Sequence, residues 1–121
     1  MNAQDIIRAD FEKRGMNPLP YMQTIAYLLK KKKMQMMQQN DSVLLLKNIG
    51  DGNVELHLFT QDRPMTLAKS LKSFIDAIRK TKIKAVFGQA DNPEIVTFLR
   101  SLGVNVQTQN LPKPYNWKAT V

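Results

Sequence analysis

The sequence contains no cysteine and a single histidine, His57. Disulfide frameworks, thiolate zinc sites and cysteine nucleophiles are excluded, and a histidine-rich metal site cannot be built, so no metal is expected. The missing thiols leave the redox compartment open. Glycine and proline are sparse, at 5 and 6 residues, and aromatic residues make up 7%. That composition is neither collagen-like nor that of a disordered linker. No apolar run approaches the roughly 18 to 20 residues of a membrane span. The start, Met1-Asn2-Ala3-Gln4-Asp5, has neither the basic stretch nor the apolar core of a secretory signal, and a soluble, cytoplasmic protein is expected.

What is present is 43% hydrophobic residues in a chain of 121, enough for a single domain with one modest core. Eighteen basic residues stand against 10 acidic ones, a net charge of +8. The surplus is uneven, +2 over residues 1–60 and +6 over residues 61–121. It favours an anionic partner: a phosphate-bearing cofactor, a nucleic acid or an acidic protein surface. The run Lys30 to Lys33 has no helix-turn-helix, zinc finger or RNP-like motif beside it, so nucleic acid is the least favoured of the three.

Hydrophobic periodicity divides the chain into elements. Ile6, Ile7 and Phe11 give a first helix over residues 3–14, stopped by Gly15. Asn17-Pro18-Leu19-Pro20 reads as a breaker. From Tyr21 the positions Tyr21, Ile25, Leu28 and Leu29 form a helical stripe that continues through the lysines to Met34, Met36 and Met37. Those methionines are core filler or an exposed patch for a protein partner or self-association. Val43 to Lys47 is a buried strand that turns at Asn48–Asn53, and Val54, Leu56 and Leu58 alternate with Glu55, His57 and Phe59 in the return strand. Leu67, Leu71, Phe74, Ile75 and Ile78 mark a helix that begins near Pro64 or at a Thr66 cap. A strand over Ile83 to Gly88 follows, then a helix capped by Asp91 or Asn92 and ended by Gly103. Val104 and Val106 lie in a strand, and Tyr115, Trp117 and Ala119 alternate in the last one. The order is α-α-β-β-α-β-α-β-β. Its two strand–helix–strand crossovers make the fold α/β with a mixed sheet in one domain, residues 1–40 being a helical N-terminal part and 41–121 the core.

This order, together with Asn92-Pro93-Glu94-Ile95-Val96-Thr97-Phe98-Leu99-Arg100-Ser101-Leu102-Gly103-Val104, resembles the GNAT superfamily of acyl-CoA-dependent N-acyltransferases, whose asparagine-led late helix ends in leucine-glycine-aromatic. Arg63-Pro64-Met65-Thr66-Leu67-Ala68 is similar to the family's cofactor loop, with Arg63 and Ala68 matching and Thr66 replacing the first glycine. The Phe98-Leu99 and Leu102-Gly103 pairs resemble short acetyltransferase-like proteins of tailed bacteriophages, some associated with the virion. The resemblance covers residues 43–121 and implies a fold shortened on its N-terminal side, with the family's first hairpin missing or replaced by helices.

The resemblance implies acetyl-CoA or another acyl-CoA between the strand Val54–Thr60 and the strand Ile83–Gly88. Backbone groups of Leu58, Phe59 and Thr60 would hold the pantetheine arm. Arg63, Thr66, Leu67, Ala68 and Lys69, with Asn92, would hold the phosphates, because a helix start offers free N–H groups and a positive dipole end. Thr66 crowds that approach where glycine would not. A general base would be Glu55 or His57, for which the plain alternative is a solvent-facing strand residue. The family's tyrosine acid falls on Leu99, which has no proton to give. Two functions follow: a GNAT-fold acyltransferase with degenerate machinery, in the cytoplasm, or a non-catalytic phage structural or assembly protein, in the host cytoplasm or virion.

Overall fold

The computed structural model describes residues 1–90 and 93–121. The expected caps Asp91 and Asn92 lie outside the described residues. Helix α1 (Ala3–Lys13) begins where the Asn2 side chain accepts from the Asp5 amide at 2.9 Å, which satisfies one of the unpaired N–H groups of the first turn. Helix α2 (Pro18–Lys30) starts at Pro18, ahead of the Tyr21 read from the sequence. Asn17 caps it by accepting from Leu19 N, and Pro18 and Pro20 fall in the first turn, where a missing N–H breaks no helical bond.

The helix does not continue through the lysines. Lys32 takes φ 58°, and Met34–Gln39 is a strand, β1. Four adjacent ammonium groups disfavour further helix, and the Met–Gln segment gains a full ladder by pairing antiparallel with β2 (Ser42–Gly50), from Met34↔Lys47 to Gln39↔Ser42. A strand that the expected order lacks, β1, is therefore present, and the N-terminal part is not helical as far as residue 40. Met34 is buried, while Met36 is 46% exposed on an outer strand rather than at a helix end.

Strand β3 (Asn53–Thr60) follows β2 through a turn in which Gly50, Asp51 and Gly52 all have positive φ. Helix α3 (Pro64–Arg79), strand β4 (Ala85–Gly88), helix α4 (Pro93–Ser101), strand β5 (Asn105–Gln107) and strand β6 (Trp117–Thr120) complete the chain. Ile83 packs on the core ahead of β4, and Tyr115 stands before β6 instead of within it.

The sheet runs β1-β2-β3-β4-β6-β5. Every pairing is antiparallel except β3 with β4. Helices cover both faces. Leu44, Leu46 and Val54 pack with Phe74, Ile75, Ile78, Val96 and Leu99 of α3 and α4. Val43, Leu45 and Phe59 pack with Ile6, Ile7 and Phe11 of α1 and with the partly buried Ile25, Leu28 and Leu29 of α2. The two-sided cover explains why Val43 to Leu46 is an unbroken apolar run, each residue contributing about 1.5 to 3 kcal/mol by burial. Among the described residues no helix is long and apolar enough to cross a membrane.

Candidate functional site

The parallel pairing of β3 and β4 spans only Asn53↔Ala85, Val54↔Val86 and Glu55↔Phe87. Beyond it β3 continues to Thr60 while β4 stops at Gly88. The strands part into a cleft of about 660 Å³, walled by Leu56 and Leu58 of β3, Leu67, Ala68 and Leu71 of α3, Ile95 and Phe98 of α4, and Trp117 of β6. Gly88 leaves room for this geometry, since a Cβ there would come within 2.0 Å of the Trp117 ring.

The backbone of β3 faces the gap in alternation. Gln61 N donates toward β2, to Asp41 O at 2.9 Å, whereas Thr60 N donates away from it, to the buried Asp10 carboxylate at 3.0 Å. Successive amides point to opposite sides of a strand, so the Leu58 amide points into the gap and the Phe59 amide toward β2. Of the three residues expected to offer backbone groups, Leu58 turns its amide into the gap. Thr60 N–H is taken by Asp10, and the Phe59 side chain is buried against Phe11 with ring centroids 5.1 Å apart.

Glu55 sits at the apex where the strands part. It is not the solvent-facing residue that alternation allowed, being only 8% exposed. One carboxylate oxygen meets His57 Nε2 at 2.9 Å, and the other accepts from Gln89 Nε2 at 2.6 Å. Gln89 is held in turn by Asn116, which donates to its carbonyl. Burial pushes the Glu55 carboxyl up, but the hydrogen bonds from His57 and Gln89, the charge of His57 and the nearby Tyr115 hydroxyl outweigh it. The carboxyl ends below its ordinary value. Burial first, and then the Glu55 carboxylate, raises the Tyr115 phenol, which stays protonated. His57 lines the cleft with its side chain 37% exposed. A carboxylate behind an imidazole that faces a cleft is an arrangement able to take up a proton.

At the other end of the cleft, α3 begins without a side-chain cap. Arg63 is the capping residue and Pro64 the first helical one, so Thr66 lies inside the first turn and is not the cap. The amides of Met65 and Thr66 precede the first helical bond, donated by Leu67 to Arg63 O at 2.8 Å, and no acidic residue stands in that turn. This end suits an anion. A buried polar cluster fixes it: Asp62 accepts from Ser42 Oγ at 2.6 Å, from Ser70 Oγ at 3.3 Å and from the Asp41 amide at 3.1 Å. Its own amide donates to Thr60 Oγ1.

Glu55 and His57 are thus in contact, and Leu58, Phe59, Thr60, Leu67 and Ala68 line the cleft. Arg63 and Lys69 are exposed on α3 and Thr66 half-buried, none of them on the cleft wall, and Asn92 lies outside the described residues. Leu99 is buried in the core, and the residues of α4 that line the cleft are Glu94, Ile95 and Phe98, because one step along a helix turns the side chain by about 100°. The sequence does not single out Gln89, Asp62 or Asp10, and it marks Tyr115 only as an alternating aromatic of the last strand. Asp10 alone left a signal, an acid on the apolar stripe of Ile6, Ile7 and Phe11. Among the described residues no three His, Asp or Glu side chains gather as a metal site.

No protein-family model and no curated protein matches the chain. Solved structures do resemble it. Campylobacter jejuni N-acetyltransferase PseH, crystallised with acetyl coenzyme A, matches with a TM-score of 0.59 at 15% identity, covering 100% of this chain and 92% of that one. Ribosomal-protein-alanine N-acetyltransferase from Brucella melitensis matches with a TM-score of 0.55 at 10% identity, covering 87% and 76%. The mixed six-stranded sheet with parted central strands is therefore the GNAT-like fold of these N-acetyltransferases.

Proposed function

We propose that the chain binds an acyl-CoA between β3 and β4 and passes the acyl group to an amine. The observation that carries this reading is the three-residue β3–β4 ladder that opens into a cleft beside the uncapped start of α3. The fold shared with N-acetyltransferases, one of them crystallised with acetyl coenzyme A, supports it.

The thioester supplies the acyl carbon: the amine nitrogen bonds to it, the C–S bond breaks and the thiolate leaves with the electron pair. The chain's residues divide the remaining tasks. The Leu58 amide is a fixed donor for the developing oxyanion, and Met65 and Thr66 N–H with Arg63 and Lys69 meet the phosphates. His57 takes the ammonium proton and Glu55, ionised at neutral pH, stabilises the resulting imidazolium. Leu99, where the resemblance puts the acid, is buried in the core, and the thiolate takes its proton from water. A leucine in place of the acid favours a second reading, acyl-CoA binding without efficient transfer.

Isothermal calorimetry with acetyl-CoA tests the first step, checked by the thermal shift that binding to the native state requires. Micromolar affinity, lost in Ala68→Glu, is expected. Turnover of an amine that falls in Glu55→Gln at unchanged acetyl-CoA affinity then assigns the proton acceptor. No heat at millimolar ligand overturns acyl-CoA binding and leaves the structural or assembly role of the phage proteins that the late helix resembles.

A further inference from the structure

The end of the sheet opposite the cleft carries charge that acyl transfer does not use. The α2–β1 turn brings Lys30, Lys31, Lys32 and Lys33, and the end of α3 with the segment leading to β4 brings Arg79, Lys80, Lys82 and Lys84, eight of the 18 basic residues. Between these turns lies a recess of about 290 Å³ lined by Lys32, Lys33 and Lys82, with the backbone turn at Gly50 to Gly52 as part of its wall. Lys84 stands against it, its amide donating to Gly52 O at 2.7 Å and its stem lying where a Cβ on Gly52 would come within 3.0 Å. Asp51 is the one acid in the lining. Among the described residues none of the eight cations pairs with a carboxylate.

At about 3.3 Å per residue along β3, Asn53 at this end lies roughly 20 Å from Thr60, where the chain turns toward the start of α3, more than two screening lengths at physiological salt. The charge there does not serve the start of α3. It is also spread over two turns, too widely for a single phosphate. No aromatic side chain lines the recess, so nothing there stacks on a base. Its apolar walls include Met34, Leu46 and Val54, all buried core residues, so the surface presents ammonium groups without the apolar centre of a protein interface. Lysines act as flexible point charges, suited to spaced phosphates that are not read for sequence.

We propose that this end of the molecule binds the phosphate backbone of duplex nucleic acid, independently of base sequence. Fluorescence anisotropy with a labelled 20-base-pair duplex, between 50 and 200 mM salt, tests it. If Lys32, Lys33, Lys82 and Lys84 each neutralise a phosphate, the log–log slope is about −3.6 and affinity falls about 150-fold over that range. The variant Lys32→Glu/Lys33→Glu/Lys82→Glu is expected to bind at least tenfold more weakly, with a slope shallower by about 2.7. Arg8→Glu/Lys13→Glu/Lys113→Glu changes the net charge equally at exposed positions elsewhere and is expected to lose less than threefold. Circular dichroism checks that both variants fold, and the wild-type salt slope needs no variant. Absence of binding at 50 mM salt, equal losses in the two variants, or binding to phosphatidylserine vesicles in place of the duplex would each overturn the proposal.

Discussion

Replacing Asp62 with alanine removes the acceptor that three buried or half-buried donors share. Ser42 Oγ, Ser70 Oγ and the Asp41 amide reach its carboxylate at 2.6, 3.3 and 3.1 Å. Ser42 and Ser70 are both fully buried. Hydrogen bonds to a charged acceptor contribute about 1.5 to 3 kcal/mol each, and a stranded buried donor costs about 1 to 3 kcal/mol. The hydroxyls keep other partners, Ser42 with Thr60 Oγ1 at 2.7 Å and Ser70 with Gln39 O at 3.3 Å. The Asp41 amide has no such substitute, so the net loss is about 3 kcal/mol and not the sum of three bonds. For a chain of this length that lowers Tm by about 12 °C. Urea titration is the assay, since a shifted midpoint at constant slope isolates stability. Asp62→Asn keeps one oxygen and should lose about half as much. Because Asp62 adjoins Arg63, the capping residue of α3, acetyl-CoA affinity should fall with stability. A loss below about 1 kcal/mol in the alanine variant would refute the reasoning, for it would mean the network is replaceable by water.

Glu55 sets an acid limb. Its carboxyl titrates lower in the folded chain than in the unfolded one, so in that window the unfolded state binds more protons and stability rises with pH. The contribution is complete above the ordinary carboxylate range and disappears as pH falls through the folded value. Glu55→Gln should therefore flatten the pH dependence of Tm below about pH 5, and an unchanged limb would remove Glu55 as its source. Gly88→Ala drives a methyl group to within 2.0 Å of the Trp117 ring, and overpacking of this kind costs about 1 to 3 kcal/mol or moves the ring. As the chain has one tryptophan, its fluorescence reports the displacement directly, and identical emission with identical stability would contradict the packing described.

The parts legible in the sequence are those where one face is apolar and the other is not. The stripe from Leu67 to Ile78 became α3, and the alternation from Val54 to Phe59 became β3. Strand β1 was not legible, because Met and Gln favour neither period strongly and Met34 with Met37 has the spacing of one helix face, whereas in β1 the two point to opposite faces of the sheet. Likewise the start of α2 was hidden by reading Pro18 and Pro20 as breakers, when the first helical turn accommodates both. The site divides along the same line. Glu55 and His57 stand two residues apart on one strand face, which alternation supplies at once. Gln89 and Tyr115 reach Glu55 only because the chain brings β4 beside β3 and β6 beside β4, a long-range arrangement that local periodicity cannot encode. Leu99 and Phe98 show the tightest limit, since one residue of offset along a helix decides which side chain faces the cleft and which the core.

The lone parallel pairing in the sheet also bears on how the molecule holds together. β1-β2-β3 and β4-β6-β5 are each an antiparallel unit, and they are joined edge to edge through three register positions alone. The hairpin of β1 with β2 and that of β2 with β3 close locally, while the joint waits on residues 53 and 85, and β4 with β6 on residues 85 and 120, each pair finding one another across a helix. The joint, held by three positions alone, opens early. A molecule lodged in the cleft would touch both units at their weakest junction. It would act as a cross-brace, slowing the parting of the two half-sheets, and its occupancy would be felt as rigidity well beyond the residues it contacts.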